Sequence, residues 1–289
     1  MRFVVSVALV AAALIFSAQA SLAQATPGQI LFAENVSDTV VDIRPGGDLT
    51  AAPRFASGLS RPTALCIGPG GDVYVTEFDS GEVTIITAGG DFTGAAAFAT
   101  GLTNPNQLFC DDTEVLVSQG NGDQVVDITA GGDFTGAPPF ASGIVSVAAL
   151  FRDSNGTLWA YDGTATGRML DITAGGDFTG VPGYATGTFV PGIGERNGVL
   201  LASEYIDDQV GDFTAGGDLV AGPNFALVTR PIGILDLGPI GLFVATNTPD
   251  VYEVSAGGDF TASPPYATGT GTGAWWNGFT FVPGCGSGL

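Results

Sequence analysis

The 289-residue chain carries 29 Asp and Glu residues against 8 Lys and Arg residues, and its formal net charge is −21 at pH 7. All the cations are arginines and they are scattered, which excludes nucleic acid as a partner, because phosphate binding needs clustered positive charge. The sequence contains no histidine, so it predicts neither a zinc site nor a serine or cysteine hydrolase with a His base. Three explanations of the acidity stay open: solubility, a saline habitat or a specific cation site.

The N-terminus predicts a signal peptide over residues 1–25. Arg2 precedes an apolar stretch of 14 residues at 3–16, and two A-x-A sites follow at 18–20 and 23–25. This stretch is shorter than the roughly 18 residues that a membrane-spanning helix requires. We therefore expect a secreted or periplasmic protein without an integral membrane span, with residues 26–289 forming one domain.

A Gly-Gly-Asp pattern returns six times along the chain. Its successive spacings are 43, 42, 44, 41 and 41 residues, and its aspartates are Asp48, Asp91, Asp133, Asp177, Asp218 and Asp259. Periods of this length with strand-like content are typical of propeller blades. The sequence therefore predicts an all-β, six-bladed β-propeller of four-stranded blades.

The second unit shows how one blade is built. Apolar or alternating segments at 62–67, 72–77, 82–86 and 97–100 predict four strands, separated by turns rich in Gly, Asp and Asn. We interpret the Gly-Gly-Asp segment as a hairpin-like turn, with Gly at positive φ and Asp bonding locally, on the face opposite the functional rings.

Large apolar residues recur at two places in every unit and predict packing between neighbouring blades. One set follows each Gly-Gly-Asp, and the other lies in each outer strand: Leu49, Phe92, Phe134, Phe178, Leu219 and Phe260; then Phe55, Phe98, Phe140, Tyr184, Phe225 and Tyr266.

The two ends of the chain are expected to close the ring. Residues 29–34 correspond to the second strand of a blade, and residues 277–283 correspond to a first strand. The C-terminal strand should therefore complete the first blade and pair an edge that would otherwise stay open.

One ring of candidate residues lies at the ends of the second strands. All six side chains carry oxygen, which suits Ca²⁺, a hard cation that takes six to eight oxygen ligands. The alternative is that each side chain bonds the backbone of its own turn. Both interpretations stay open for this ring, which consists of Glu34, Glu77, Gln119, Asp162, Glu204 and Asn247.

A second candidate ring lies at the starts of the innermost strands. It is mostly neutral and varies from unit to unit, as a ligand-selective surface would, and it consists of Thr63, Asn106, Val147, Gly192, Ile232 and Asn277. The adjacent indoles of Trp275 and Trp276 either stack on a sugar or another planar ligand, or cover the mouth of the channel.

Cys66, Cys110 and Cys285 are an odd number of cysteines for an exported protein. One disulfide with one free thiol and three buried thiols are both compatible with this number. Because Cys66 and Cys110 fall in apolar strands, we expect them to act as small hydrophobic residues.

Residues 61–86, RPTALCIGPGGDVYVTEFDSGEVTII, resemble an NHL repeat, and the resemblance recurs over most of residues 29–283. It implies a six-bladed propeller. The chain is also similar to gluconolactonase and regucalcin-like propellers, whose central divalent metal is held by Glu, Asn and Asp. Asn106 and Asn277 match that site, whereas the acids do not. Streptogramin lyases are similar in blade sequence, but that family relies on His, which this chain lacks.

These features favour a monomeric, non-enzymatic exported propeller that presents a face to a small molecule, a protein or a glycan, with a central Ca²⁺ as an open question. The alternative is a Ca²⁺-dependent lactonase or esterase. Its carboxylates would come from the first ring, namely Glu34, Glu77, Asp162 or Glu204.

Overall fold

The structure, a computed structural model, describes residues 25–26, 28–164, 167–187 and 189–270, and the backbone of residues 279–281. Residues 1–24 of the predicted signal peptide lie outside the described residues, as do Trp275, Trp276, Asn277 and Cys285. Within the described part of the chain, no helix is long and apolar enough to cross a membrane.

Six sheets of five strands form the predicted six-bladed propeller. In each blade the inner, second, third and outer strands are antiparallel. The inner strands of blades 1 to 6 are Phe279–Phe281, Pro62–Ile67, Pro105–Cys110, Ala149–Arg152, Gly192–Arg196 and Pro231–Asp236. The second strands are Ile30–Glu34, Val73–Glu77, Val115–Gln119, Leu158–Asp162, Val199–Glu204 and Leu242–Thr246.

The third and outer strands complete each blade toward the rim. The third strands are Thr39–Asp42, Glu82–Ile85, Gln124–Asp127, Arg168–Asp171, Gln209–Asp212 and Asp250–Glu253. The outer strands are Arg54–Ser57, Ala99–Thr100, Ala141–Ser142, Ala185–Thr186, Asn224–Leu227 and Ala267–Thr268. Two 3₁₀ turns, Pro69–Gly71 and Gly238–Ile240, join inner to second strands in blades 2 and 6.

The predicted closure of the ring is confirmed. The C-terminal strand pairs antiparallel with the first strand of the chain, and Ile30 lies opposite Phe281 and Phe32 opposite Phe279. Blade 1 is therefore assembled from both ends of the chain. The C-terminal strand covers the edge of the second strand, which would otherwise be open.

The fifth strand of each sheet was not predicted from the sequence. It is the Gly-Asp pair of the next unit, which runs parallel to the outer strand of the preceding blade: Gly90 lies opposite Ala56, and Asp91 lies opposite Ser57. The local expectations hold, since Gly90 has a φ of 101° and Asp91 accepts the Thr93 N–H at 3.0 Å. The Gly-Gly-Asp segment is thus also a link between blades.

This link gives the ring a second closure at the rim. Gly47–Asp48, from the first unit, pairs parallel with Ala267–Thr268, the outer strand of blade 6. The fifth strands of the other sheets, in blades 1 to 5, are Gly90–Asp91, Gly132–Asp133, Gly176–Asp177, Gly217–Asp218 and Gly258–Asp259.

The recurring apolar residues pack between blades, as predicted. Phe55 and Phe92 contribute to one cluster, in which they meet Val75 of the second blade. Tyr184 is the exception, since 43% of it is exposed while its ring lies 4.9 Å from that of Trp159. Burial of such side chains contributes about 1.5 to 3 kcal/mol each.

Cys66 and Cys110 form a disulfide between the inner strands of blades 2 and 3, with their Cα atoms 5.7 Å apart. The expectation that they act only as small hydrophobic residues is therefore wrong. They lie one repeat apart in sequence, and adjacent inner strands bring equivalent positions together. Polar contacts at the same level join the next three pairs of blades: Arg152 with Glu114, Ser154 with Glu195, and Arg196 with Asp236.

Candidate functional site

The first candidate ring is buried at the ends of the second strands. Glu34, Glu77, Gln119, Asp162 and Glu204 each occupy the last position of a second strand. In blade 6 this position belongs to Thr246, because Pro231 pairs with Thr246 as Pro62 pairs with Glu77. Asn247, predicted for the ring, lies one residue beyond it, where its Nδ2 donates to the Tyr205 hydroxyl at 2.9 Å.

Two of the ring acids are paired with arginines inside their own blades. Glu34 Oε2 accepts from Arg54 Nε at 2.6 Å and from Thr39 Oγ1 at 2.6 Å. Asp162 Oδ2 lies 2.7 Å from both Arg168 Nε and Arg168 Nη2. Each of these buried carboxylates is therefore balanced by a partly buried arginine of its own blade.

Two further members of the ring hold the loop that leads into their blade. Glu77 Oε2 accepts the Ser60 N–H at 2.7 Å, and its other oxygen accepts from the Thr84 hydroxyl. Gln119 Oε1 accepts the Thr103 N–H at 2.9 Å. Among the described residues, no group of three His, Cys, Asp or Glu side chains is placed to hold a metal ion.

Glu204 differs from the other acids of the ring. Its Oε2 accepts from Gln209 Nε2 at 2.8 Å, whereas its Oε1 is buried and has no hydrogen-bond partner. Burial raises the pKa of Glu204 to about 7, although the Gln209 hydrogen bond opposes the increase and the charges of Asp207 and Asp218 add to it. This carboxyl group therefore binds a proton near neutral pH.

The second candidate ring joins neighbouring inner strands. Thr63, Asn106, Val147 and Ile232 are buried. Thr63 Oγ1 donates to the Asn106 carbonyl at 3.0 Å, and Asn106 Nδ2 donates to the Val147 carbonyl at 3.5 Å. A Cβ on Gly192 would lie 2.9 Å from the Gly233 Cα, so blades 5 and 6 approach closely there. The described members of this ring thus pack between blades.

The loops that lead into the inner strands have an unusual backbone conformation. Arg61, Asn104, Ser146 and Arg230 have φ values of 56°, 47°, 48° and 47°. This region is sparsely populated by residues other than glycine, and such conformations cost on the order of 1 to 3 kcal/mol each and persist only where their surroundings hold them. The backbone of these loops is therefore held in a set conformation.

Three of these loops are held by aspartates of the preceding blade. Asp38 Oδ1 accepts the Arg61 N–H at 2.9 Å, Asp123 Oδ1 accepts the Ser146 N–H at 3.0 Å, and Asp208 Oδ1 accepts the Arg230 N–H at 2.8 Å. Sequence analysis missed these contacts. The available signal was an Asp four residues after the ring position in blades 1, 3 and 5.

The same end of the propeller exposes apolar and cationic side chains, which we call the mouth face. Val36 is 61% exposed, Val145 42% and Ile206 65%. The Arg61 guanidinium lies 4.5 Å from the centre of the Phe78 ring, and that of Arg230 lies 5.9 Å from the Tyr205 ring. The mouth face thus consists of Val36, Arg61, Phe78, Val145, Tyr205, Ile206 and Arg230.

No protein-family model and no curated protein matches this sequence. Among solved structures, a chain of a nidogen/laminin complex matches with a TM-score of 0.63 and 12% identity, over 89% of this chain and 99% of that one. Virginiamycin B lyase from Staphylococcus aureus matches with a TM-score of 0.47 and 16% identity, over 68% and 67%. A streptogramin B lyase matches with a TM-score of 0.42 and 12% identity, over 88% and 74%.

At these identities the comparisons show a fold and no more. The first match covers nearly all of both chains, and the sheet order of this protein is that of a propeller. The resemblance to NHL repeats and to gluconolactonase-like propellers stays a prediction. The chain is a six-bladed β-propeller.

Proposed function

We propose that this chain is an exported, non-enzymatic propeller that binds a protein partner through the mouth face. The observation that carries this proposal is the set of exposed apolar side chains and arginine–aromatic pairs on loops held in set conformations. Aromatic and arginine side chains are enriched at protein interfaces, and loops that are already ordered lose little entropy on binding.

The chemistry of the mouth face supports a protein more than a small molecule. Val36 and Ile206 lie on loops of blades 1 and 5, so they present separate apolar contacts on the mouth face. Asp79 pairs with Arg61 at 3.4 Å, which adds a polar contact beside the Phe78 ring. The similar chain from a nidogen/laminin complex comes from a propeller that was solved with a protein partner.

The test is capture of partners from the extracellular fraction of the producing cells, using immobilised mature protein followed by measurement of affinity for each captured protein. We expect Ile206→Asp and Val36→Asp each to weaken binding at least roughly tenfold, about 1.4 kcal/mol. Val220→Asp is the matched control, since Val220 is 46% exposed but follows a Gly-Asp strand at the rim. Equal loss in all three variants would contradict the proposal.

The hydrolase alternative is tested on the same preparation. It requires carboxylates that are open to substrate, whereas Glu34, Glu77, Asp162 and Glu204 are all buried. Calcium-dependent turnover of a lactone or an aryl ester that is lost in Glu77→Gln would overturn the non-enzymatic assignment. A melting temperature that rises with Ca²⁺ and falls with chelator would support a cation at this ring.

A further inference from the structure

We propose that Glu204 is a proton-binding carboxyl group that makes the stability of blade 5 depend on pH near neutrality. The structure points to it because this is the one ring acid of the described residues that has neither an arginine, a hydroxyl nor a backbone N–H as donor. The loop that follows it carries part of the mouth face. The proposal itself does not rest on partner binding.

A comparison with blade 1 shows which arginine blade 5 lacks. Arg54 of blade 1 lies opposite Val41, and the equivalent pair in blade 5 is Asn224 opposite Gly211. Arg54 reaches back to Glu34 at 2.6 Å. Asn224 is exposed, and among the described residues the Glu204 carboxylate accepts from Gln209 instead. Glu34 also has one unpartnered oxygen, but its other oxygen is in the ion pair.

The comparison with blade 2 shows which hydroxyl is missing. Thr84 lies opposite Val75, two residues before Glu77, and donates to the Glu77 carboxylate. Gly211 lies opposite Ala202, two residues before Glu204, and has no side chain to donate. A Cβ at position 211 would lie 1.8 Å from Glu204 Oε1, so the carboxylate occupies the space that a side chain fills in blade 2.

The charged groups around Glu204 do not compensate for its burial. Asp207 on the following loop and Asp218 on the rim strand both disfavour the ionised form. From blade 4, Tyr161 faces Glu204, and burial raises the pKa of that phenol above its ordinary value, so Tyr161 is neutral and supplies no positive charge. Arg168 of blade 4 is paired with Asp162, and Arg230 of blade 6 lies against the Tyr205 ring.

A buried carboxylate without a cation takes up a proton instead of remaining charged. The raised pKa, about 7 in the folded chain, means that the folded state holds a proton that the unfolded state releases near pH 4.5. The folded state therefore binds more protons between these values, and stability falls as pH rises through the folded pKa. Because the chain has no histidine, no other side chain normally titrates between pH 5 and 8.

The mouth face is coupled to this proton through the chain. Glu204 is followed directly by Tyr205 and Ile206, and its carbonyl accepts the Asp207 N–H at 3.2 Å. Asp208 then holds the Arg230 backbone of blade 6. Ionisation of Glu204 is expected to loosen this loop, so protonation keeps two residues of the mouth face in place.

The test is thermal unfolding of the mature protein at pH 5.5 and pH 8.5 at constant ionic strength. About 1.5 pH units of the range between the unfolded and the folded pKa of Glu204 lie above pH 5.5, so the wild-type melting temperature should fall by roughly 4 to 8 °C between these pH values. Glu204→Gln should remove this decrease. Glu77→Gln is the matched control and should keep the decrease, because it leaves Glu204 and its Gln209 donor unchanged. A wild-type protein without the decrease, or a decrease that Ca²⁺ abolishes, would overturn the proposal.

A second measurement does not depend on any variant folding. The chain contains seven glutamates, and ¹³C NMR of glutamate-labelled wild-type protein follows each carboxyl carbon with pH. We expect one resonance with a midpoint between about 6 and 8, well above the usual value near 4.3. If every glutamate titrates below pH 5.5, the proposal is wrong. Both measurements use the free protein, so their outcome leaves the proposed partner binding untouched.

Discussion

The outer rim and the mouth of the channel come from the same repeat, but only the rim follows it in every blade. At the rim, six Gly-Asp strands pair with the preceding blade, and all six aspartates accept the N–H two residues later. At the mouth, the position that enters the blade is Arg61 in blade 2, Asn104 in blade 3 and Arg230 in blade 6. The rim contacts recur because every blade needs them to join its neighbour. The residues at the mouth differ from blade to blade, so the surface they form differs around the ring.

Removing the C-terminal strand tests whether the rim can close the ring alone. Deletion of residues 275–289 removes the partner of Ile30–Glu34 and leaves the link between Gly47–Asp48 and blade 6. We expect a loss of at least about 4 kcal/mol, or roughly 10 °C or more in melting temperature, because an inner edge opens. Differential scanning calorimetry measures this, and an unchanged melting temperature would show that the rim link is sufficient.

Replacing Arg54 makes blade 1 resemble blade 5. Arg54→Met leaves Glu34 buried without its cation, which costs roughly 3 to 5 kcal/mol at pH 7. Urea unfolding at pH 7 checks this expectation. Asn224→Met is the control at the equivalent position, and an equal cost there would contradict the difference between the blades.

Two glycines allow a test of the close contact between an outer strand and the Gly-Gly-Asp segment of the next unit, which recurs at the rim. Gly58 and Gly94 have φ values of 72° and 71°, but a Cβ on Gly58 would lie 2.4 Å from Asp91 Oδ1, while a Cβ on Gly94 would meet nothing within 4 Å. Gly58→Ala should therefore cost roughly 1 to 2 kcal/mol more than Gly94→Ala, measured by urea unfolding. Equal costs would mean that backbone strain alone explains both glycines.

The smallest expected effect on stability lies at the mouth. Ile206 is 65% exposed, so Ile206→Asp should change the free energy of unfolding by no more than about 0.5 kcal/mol while it weakens partner binding. Circular dichroism melting of the free protein checks this. A destabilisation above about 1 kcal/mol would mean that Ile206 serves the packing of blade 5, and the loss of binding would then be indirect.

Local features of the blades could be read from the sequence because they depend on short segments. The strand at 62–67 was predicted with the bounds it has in the structure, and the strand at 82–86 ends one residue earlier, at Ile85. The sequence places the last ring position at Asn247, whereas the pairing of Pro231 assigns it to Thr246. A one-residue error of this kind arises because register is set by the partner strand.

The periodic Gly-Gly-Asp pattern, its turn chemistry and the apolar residues beside it determine the number of blades, because each is a local requirement repeated six times. The parallel Gly-Asp strand, the Cys66–Cys110 disulfide and the partner of each ring acid were decided only by tertiary structure. Arg54 forms an ion pair with Glu34 across its blade, whereas the Glu204 carboxylate lies in the space that a side chain at Gly211 would fill. Such contacts join residues that are distant in sequence, so their energies depend on what the folded ring brings together.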